Sequence, residues 1–183
     1  HGQAILAAMP VARACIAGDS WRWDGIEFSL LHPPAHHYRN RNYKDNDRSC
    51  VLKVTGPGGS MLLTADIERL GELSLLERHP DDLRADVLLA PHHGSKSSSM
   101  TEFLEAVRPR KVVIPVGHRN RYGHPAPEIL ARYRARGMEI LRTDRDGAVE
   151  LRFTARGLET SRTRFTQRRY WHRVFPHTPA DPP

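Results

Sequence analysis

The amino-acid sequence predicts an α/β fold. Short apolar runs of strand length alternate with segments whose apolar residues recur at helical spacing. Turn residues punctuate the boundaries, with 14 prolines and 13 glycines among 183 residues. That length suits one compact domain with a core of its own.

Taken in order, residues 3–8 read as a helix closed by Pro10. Residues 19–25 carry two tryptophans and read as a turn around a short strand. Residues 26–31 alternate as a strand does and run into His32-Pro33-Pro34. Residues 36–48 are polar and loop-like. Residues 49–54 and 60–64 form a strand pair around the hairpin signal Gly56-Pro57-Gly58-Gly59. Residues 68–77 read as a helix with Leu70, Leu73 and Leu76 at helical spacing. A strand follows at 87–90, then a helix at 101–107 with Thr101 as its N-cap. Residues 111–116 are a strand in which Pro115 suggests a sheet edge. A loop at 118–127 leads to a helix at 128–136 closed by Gly137. Residues 139–142 and 148–153 read as a last strand pair around an Asp-Gly turn. From residue 160 onward no periodicity stands out, and the end is Pro-rich, as in an extended tail.

Composition narrows the function classes. No run of about 18 apolar residues occurs, so no membrane-spanning helix is predicted. The apolar start, residues 4–17, is broken by Pro10 and Arg13 and does not read as a signal peptide. Cys15 and Cys50 lack metal-type spacing and read as buried free thiols. The formal net charge of +7 favours polyanionic partners, nucleic acid or anionic lipid head groups.

Chemistry concentrates where apolar runs stop. Asp86-Val-Leu-Leu-Ala-Pro-His-His-Gly-Ser95 is a buried-strand pattern ending in two imidazoles. Adjacent side chains on an extended backbone point apart, so His92 and His93 serve one site only if the chain turns, which Gly94 permits. Met61-Leu-Leu-Thr-Ala-Asp66 ends in a carboxylate that is either a metal ligand or the cap of the following helix. Residues 95–99, four serines and Lys96, form a polar loop that suits either phosphate or plain solvent. His124 lies in Arg119-Asn-Arg-Tyr-Gly-His-Pro125, a mixture suited to an anionic ligand or to an ordinary basic loop. His32 ends a further apolar strand, and alone it reads as structural. Arg168-Arg-Tyr-Trp-His-Arg173 interleaves cations with aromatics, as single-strand binders do, though a solvated basic tail is the commoner outcome.

Together these segments resemble a known family. Asn46-Asp-Arg-Ser-Cys-Val-Leu52, Leu62-Leu-Thr-Ala-Asp-Ile-Glu68, Ala85 to Ser95 with its His-His-Gly-Ser, Asn120-Arg-Tyr-Gly-His-Pro125 and Arg142-Thr-Asp-Arg-Asp-Gly147 are similar to the C-terminal metallo-β-lactamase-like domain of the ComEC competence proteins. The resemblance implies a four-layer αββα sandwich over residues 1–156, followed by a basic, aromatic and Pro-rich tail over 157–183. It implies a two-metal site holding zinc or manganese. It also implies a polytopic inner-membrane parent that takes up DNA and has a nuclease domain. Carried over by position, Asp66 matches the bridging aspartate, His93 a ligand of the second metal, and His32 a ligand of the first. His92 then contacts phosphate, with Ser95 and His124 lining the substrate site. Two departures are visible. Ala65 stands where the family has Gly, and the metal motif His-x-Asp-x-Asp-His is not in the chain. The resemblance places that motif before residue 1 and reads this chain as the second half of the domain, inactive alone. Two other classes remain open at this stage: a non-catalytic DNA-binding module, and a metallohydrolase of small anionic esters.

Overall fold

The computed structural model describes residues 13–170. The helix expected at 3–8, and the tail aromatics beyond residue 170, lie outside the described residues.

The core is one seven-stranded mixed sheet whose spatial order follows the chain: β1 (Ser20–Trp23), β2 (Ile26–His32), β3 (Val51–Gly56), β4 (Gly59–Leu63), β5 (Val87–Leu89), β6 (Lys111–Ile114) and β7 (Glu139–Arg142). The first three pairings are antiparallel, and β4 to β7 run parallel. Each parallel crossover is made by a helix: α1 (Arg69–Arg78), α2 (Thr101–Val107) and α3 (Pro127–Arg134). Alternation along the strands divides the side chains between two faces. Leu62, Leu88, Val112 and Ile114 face the helices and meet Leu75, Phe103, Val107 and Ile129. Val87, Val113 and Leu141 face the other way, onto Val149, Leu151, Phe153 and Leu158 of a hairpin, β8 (Val149–Thr154) and β9 (Gly157–Arg162). The class is thus α/β as expected. Its layers are helices, mixed sheet and second sheet, the sheet-on-sheet core that a sandwich requires.

Several local expectations change. The segments at 139–142 and 148–153 do not pair. The first is β7, parallel to β6, and a helical turn, Thr143–Asp146, carries the chain to the second sheet. The strand β9 lies beyond the boundary expected at 156, so residues 157–162 belong to the fold. The segment α1 buries Gly71, Glu72, Ser74 and Leu75, while Leu70 and Leu73 are exposed, so apolar spacing picked the wrong face. Pro115 follows β6, which is flanked by β5 and β7 and is no edge. Met100, not Thr101, occupies the N-cap of α2, and the buried Glu72 carboxylate accepts the backbone N–H groups of Ser99 and Met100. Cys15 and Cys50 are joined in a disulfide with Cα atoms 5.9 Å apart, rather than lying as free thiols.

Candidate functional site

The parallel strands β4, β5 and β6 all end at one edge of the sheet, where such folds expose their loops. Thr64, buried just past β4, donates its hydroxyl to Leu89 O at 2.6 Å and ties the β4 and β5 ends together. The chain then turns sharply. Ala65 has φ of 45°, and Asp66 follows it with its side chain about half exposed. Helix α1 begins only at Arg69, with Glu68 as its N-cap residue, so Asp66 is not the helix cap.

The segment after β5 makes the turn that His92 and His93 need. Residues Pro91–Gly94 form one tight turn with both histidines left-handed, φ 46° and 56°. Such backbone costs of order 1 kcal/mol or more per non-glycine residue, so the surroundings must hold it. His92 N–H donates to Ala65 O at 3.0 Å, which locks this turn to the Asp66 turn. Gly94 packs so tightly on Pro125 that an added Cβ would lie 2.7 Å from the proline ring.

Both imidazoles are tethered through Nδ1. His93 Nδ1 bonds Pro115 O at 2.7 Å, and its Nε2 lies 3.2 Å from Asp66 Oδ1. His92 Nδ1 lies 3.3 Å from Glu68 Oε1, an oxygen that also accepts a hydrogen bond from Asn46 Nδ2 at 3.0 Å. A carbonyl or carboxylate on Nδ1 fixes the ring and leaves Nε2 to the ligand, the usual second-layer device at histidine sites. His124 completes the group, with ring centroids 5.7 Å from His92. Burial lowers the His124 pKa, the nearby His92 and His93 push the same way, and Asp66 opposes them.

The structure therefore brings Asp66, His92, His93 and His124 together. Ser95 enters at one remove: its hydroxyl meets Ser97 Oγ at 3.1 Å, and Ser97 Oγ is 3.5 Å from His92 Nδ1. His32 is not brought into this group. It is fully buried at the end of β2, with Nδ1 on Ser49 O at 3.1 Å, Nε2 unpartnered, and the His37 ring 5.1 Å away. Glu68 and Asn46 are the residues that sequence reasoning passed over as individuals, although both lie in segments that carry the family resemblance. Among the described residues, no group of three or more His, Cys, Asp or Glu side chains converges as a metal-ligand set.

Next to Glu68 and Ser97 opens a cleft of about 450 Å³, lined in part by Lys44, Arg69, Lys96 and Arg132. Two of these cations have partners of their own: Lys96 is 3.4 Å from Glu128, and Arg132 donates to Ser99 O. No helix among the described residues is long and apolar enough to cross a membrane.

No family model matches the chain. It is 38% identical over 162 residues to Competence protein ComA of Neisseria gonorrhoeae, which covers 88% of this chain and 23% of that protein. It is 34% identical over 139 residues to ComE operon protein 3 of Bacillus subtilis, covering 76% of this chain and 17% of that one. Recombination protein 2 of Haemophilus influenzae is 34% identical over 154 residues, 83% of this chain and 19% of its own length. A crystal structure from Parabacteroides distasonis, assigned as a metal-dependent hydrolase, aligns with 70% of this chain and 56% of its own at 12% identity and a TM-score of 0.44, too slight a likeness to argue from. The chain spans about a fifth of the length of the curated relatives it matches. Over most of its length, the chain is a homologue of one segment of longer proteins named for competence and recombination.

Proposed function

We propose that this chain is the metallo-β-lactamase-like portion of a ComEC-type DNA-uptake protein, and that in the intact protein it takes part in metal-dependent hydrolysis of DNA phosphodiesters. The observation that carries this reading is the Asp66–His93 pair at the C-terminal edge of parallel strands, carboxylate oxygen to Nε2 at 3.2 Å, with His93 tethered through Nδ1. A hard oxygen and an imidazole nitrogen suit zinc or manganese. The fit is partial. Two donors do not close a site that ordinarily needs four protein or water ligands, and no third joins them among the described residues. In this reading the remaining ligands come from elsewhere in the intact protein. His32, which the resemblance matches to a ligand of the first ion, is fully buried apart from this pair, with Nδ1 on Ser49 O, and takes no part in the proposed site.

When bound, the divalent ions would supply a water ionised near neutral pH and charge to offset the phosphate. The chain's own residues do the rest. Glu68 holds His92 through Nδ1, which leaves Nε2 for a phosphate oxygen. His124 lines the other side, and Ser95 holds Ser97 against His92. The cleft with Lys44, Arg69, Lys96 and Arg132 offers a path for neighbouring phosphates, so affinity should fall steeply with salt. The membrane-embedded remainder of the parent, in the inner membrane, is the expected partner.

The test is manganese- or zinc-dependent cleavage of single- and double-stranded DNA by the longer protein containing this chain, compared with Asp66→Ala and His93→Ala. Loss of cleavage in both variants supports the reading. A second reading, a DNA-binding module without chemistry, fits the cationic cleft and the lack of a third ligand among the described residues. Salt-sensitive DNA binding that both variants keep, with no cleavage at all, would select it. Activity on a small phosphoester with none on DNA would select a small-ester hydrolase instead.

A further inference from the structure

We propose that Tyr122 is a stacking platform for an unpaired nucleobase beside the Asp66, His92, His93 and His124 cluster. The inference rests on the nucleic-acid reading given above. Tyr122 is 68% exposed, an unusual position for an aromatic ring on a well-fixed loop. Its ring lies nearly parallel to that of His124, 18° between planes and 6.0 Å between centroids. His124 in turn is 5.7 Å from His92, so one short step of rings leads from the surface to the cluster.

The loop that carries the ring is held at both ends. Asn120 Oδ1 accepts the His124 N–H at 3.0 Å, and Asn120 Nδ2 donates to His124 O at 2.7 Å. Ala126 N–H donates to Gly94 O at 2.9 Å, which fastens the loop to the histidine turn. An exposed ring on so constrained a loop loses little freedom on binding, which is what a contact surface needs. Arg121 lies over the ring, its guanidinium 5.1 Å from the centroid and its Nη2 donating to the Tyr122 hydroxyl at 3.0 Å, a cation–aromatic pair that holds the ring while leaving most of it exposed.

The chemistry of the loop selects the ligand. Arg119 and Arg121 are exposed and both lie just before the ring in sequence, and cations next to an aromatic suit phosphate beside a flat apolar group. In a duplex both faces of each base are covered by neighbours, so only an unpaired base offers a face to Tyr122. The platform therefore biases the site toward single-stranded or frayed DNA, and it places a base next to the phosphate at His92.

The test uses the full chain and a single-stranded oligodeoxynucleotide carrying one 2-aminopurine, whose fluorescence is quenched by stacking. Wild type and Tyr122→Phe should bind with quenching. Tyr122→Ala should bind about tenfold more weakly with the quenching lost. An abasic analogue should bind wild type and Tyr122→Ala alike. Melting curves of the two variants, which should coincide, separate the loss of a ring from a loss of fold. Equal quenching and affinity in Tyr122→Ala would overturn the platform while leaving the DNA reading intact. Failure of the wild type to bind any DNA in a salt-dependent way would overturn both.

Discussion

His92, His93 and His124 gather at the ends of β5 and β6, while His32 and His37, with His79 near enough to influence His32, gather beside the end of β2. The first group has carboxylates for company and water at hand: Asp66 and His93 are about half exposed, and Glu68 holds His92. In the second group His32 and His37 are buried, and His32 Nε2 and His37 Nδ1 have no hydrogen-bond partner. Burial lowers the pKa of His32, and it drives His37 down to about 4, with the charges of His32, His36 and Arg78 adding to the effect. The same residue type at the same end of one sheet is thus prepared for ligands in one place and kept neutral in the other. What differs is the neighbouring turn. Asp66 and Glu68 follow β4 directly, whereas β2 runs into Pro33, Pro34 and a short helical turn.

The carboxylates sharpen the contrast. Glu72, one turn beyond Glu68 on α1, is buried and meets backbone amides instead of a histidine. Burial raises its pKa to about 7, against the opposing pull of those N–H groups. The folded state then keeps a proton that the unfolded chain releases near 4.5. Its contribution is complete below that value and is lost as pH rises through about 7. Urea unfolding of wild type should show a fall of roughly 3 kcal/mol across this window that Glu72→Gln lacks; parallel pH profiles would remove Glu72 from the account. Next in size, Glu68→Ala should cut DNA cleavage by the longer protein about 10- to 100-fold and leave its melting temperature nearly unchanged. A collapse of the melting temperature would make Glu68 structural.

His37 has the opposite sign. Its folded pKa is depressed, so its contribution is whole above 6.5 and is lost as pH falls through about 4. His37→Phe, which can keep the stack on Tyr43 at 3.6 Å, should melt with less acid dependence in that range than wild type. Identical acid profiles would show that the interior group is not the acid-sensitive one. The smallest effect is expected at Ala65, whose φ of 45° lies in the region that favours glycine. Ala65→Gly should stabilise by up to about 1 kcal/mol in thermal melts, and a loss of stability would mean that the alanine methyl is needed for packing.

Much of this was legible in the residues. The strand runs, the hairpin at Gly56 to Gly59 and the helix at 101–107 follow from local pattern, which depends on near neighbours alone. The turn that lets His92 and His93 act together follows from Gly94, which has φ of 78°, and the two histidines before it share its left-handed backbone. What could not be read depends on distant partners. The inward face of α1 follows from Glu72 reaching the amides before α2, not from its leucines. The pairing of β8 with β9, and the place of β7 in the main sheet, are choices among strands of similar composition. Glu68 and Asn46, 22 residues apart in the chain, meet only in the fold. Ala65 shows the converse. The glycine that relatives of this kind were expected to have there finds its physical reason in a positive φ.

The division between the two histidine groups is tested most directly by His93→Ala and His32→Ala, made in the longer protein and compared for metal-dependent DNA cleavage and for melting temperature. The prediction is that His93→Ala melts like wild type and loses cleavage by on the order of 100-fold or more. His32→Ala, which leaves a cavity in the interior, should melt lower and keep more cleavage per folded molecule. A His32→Ala protein with wild-type melting and no cleavage, beside an active His93→Ala, would contradict the assignment of the chemistry to the Asp66–His93 edge.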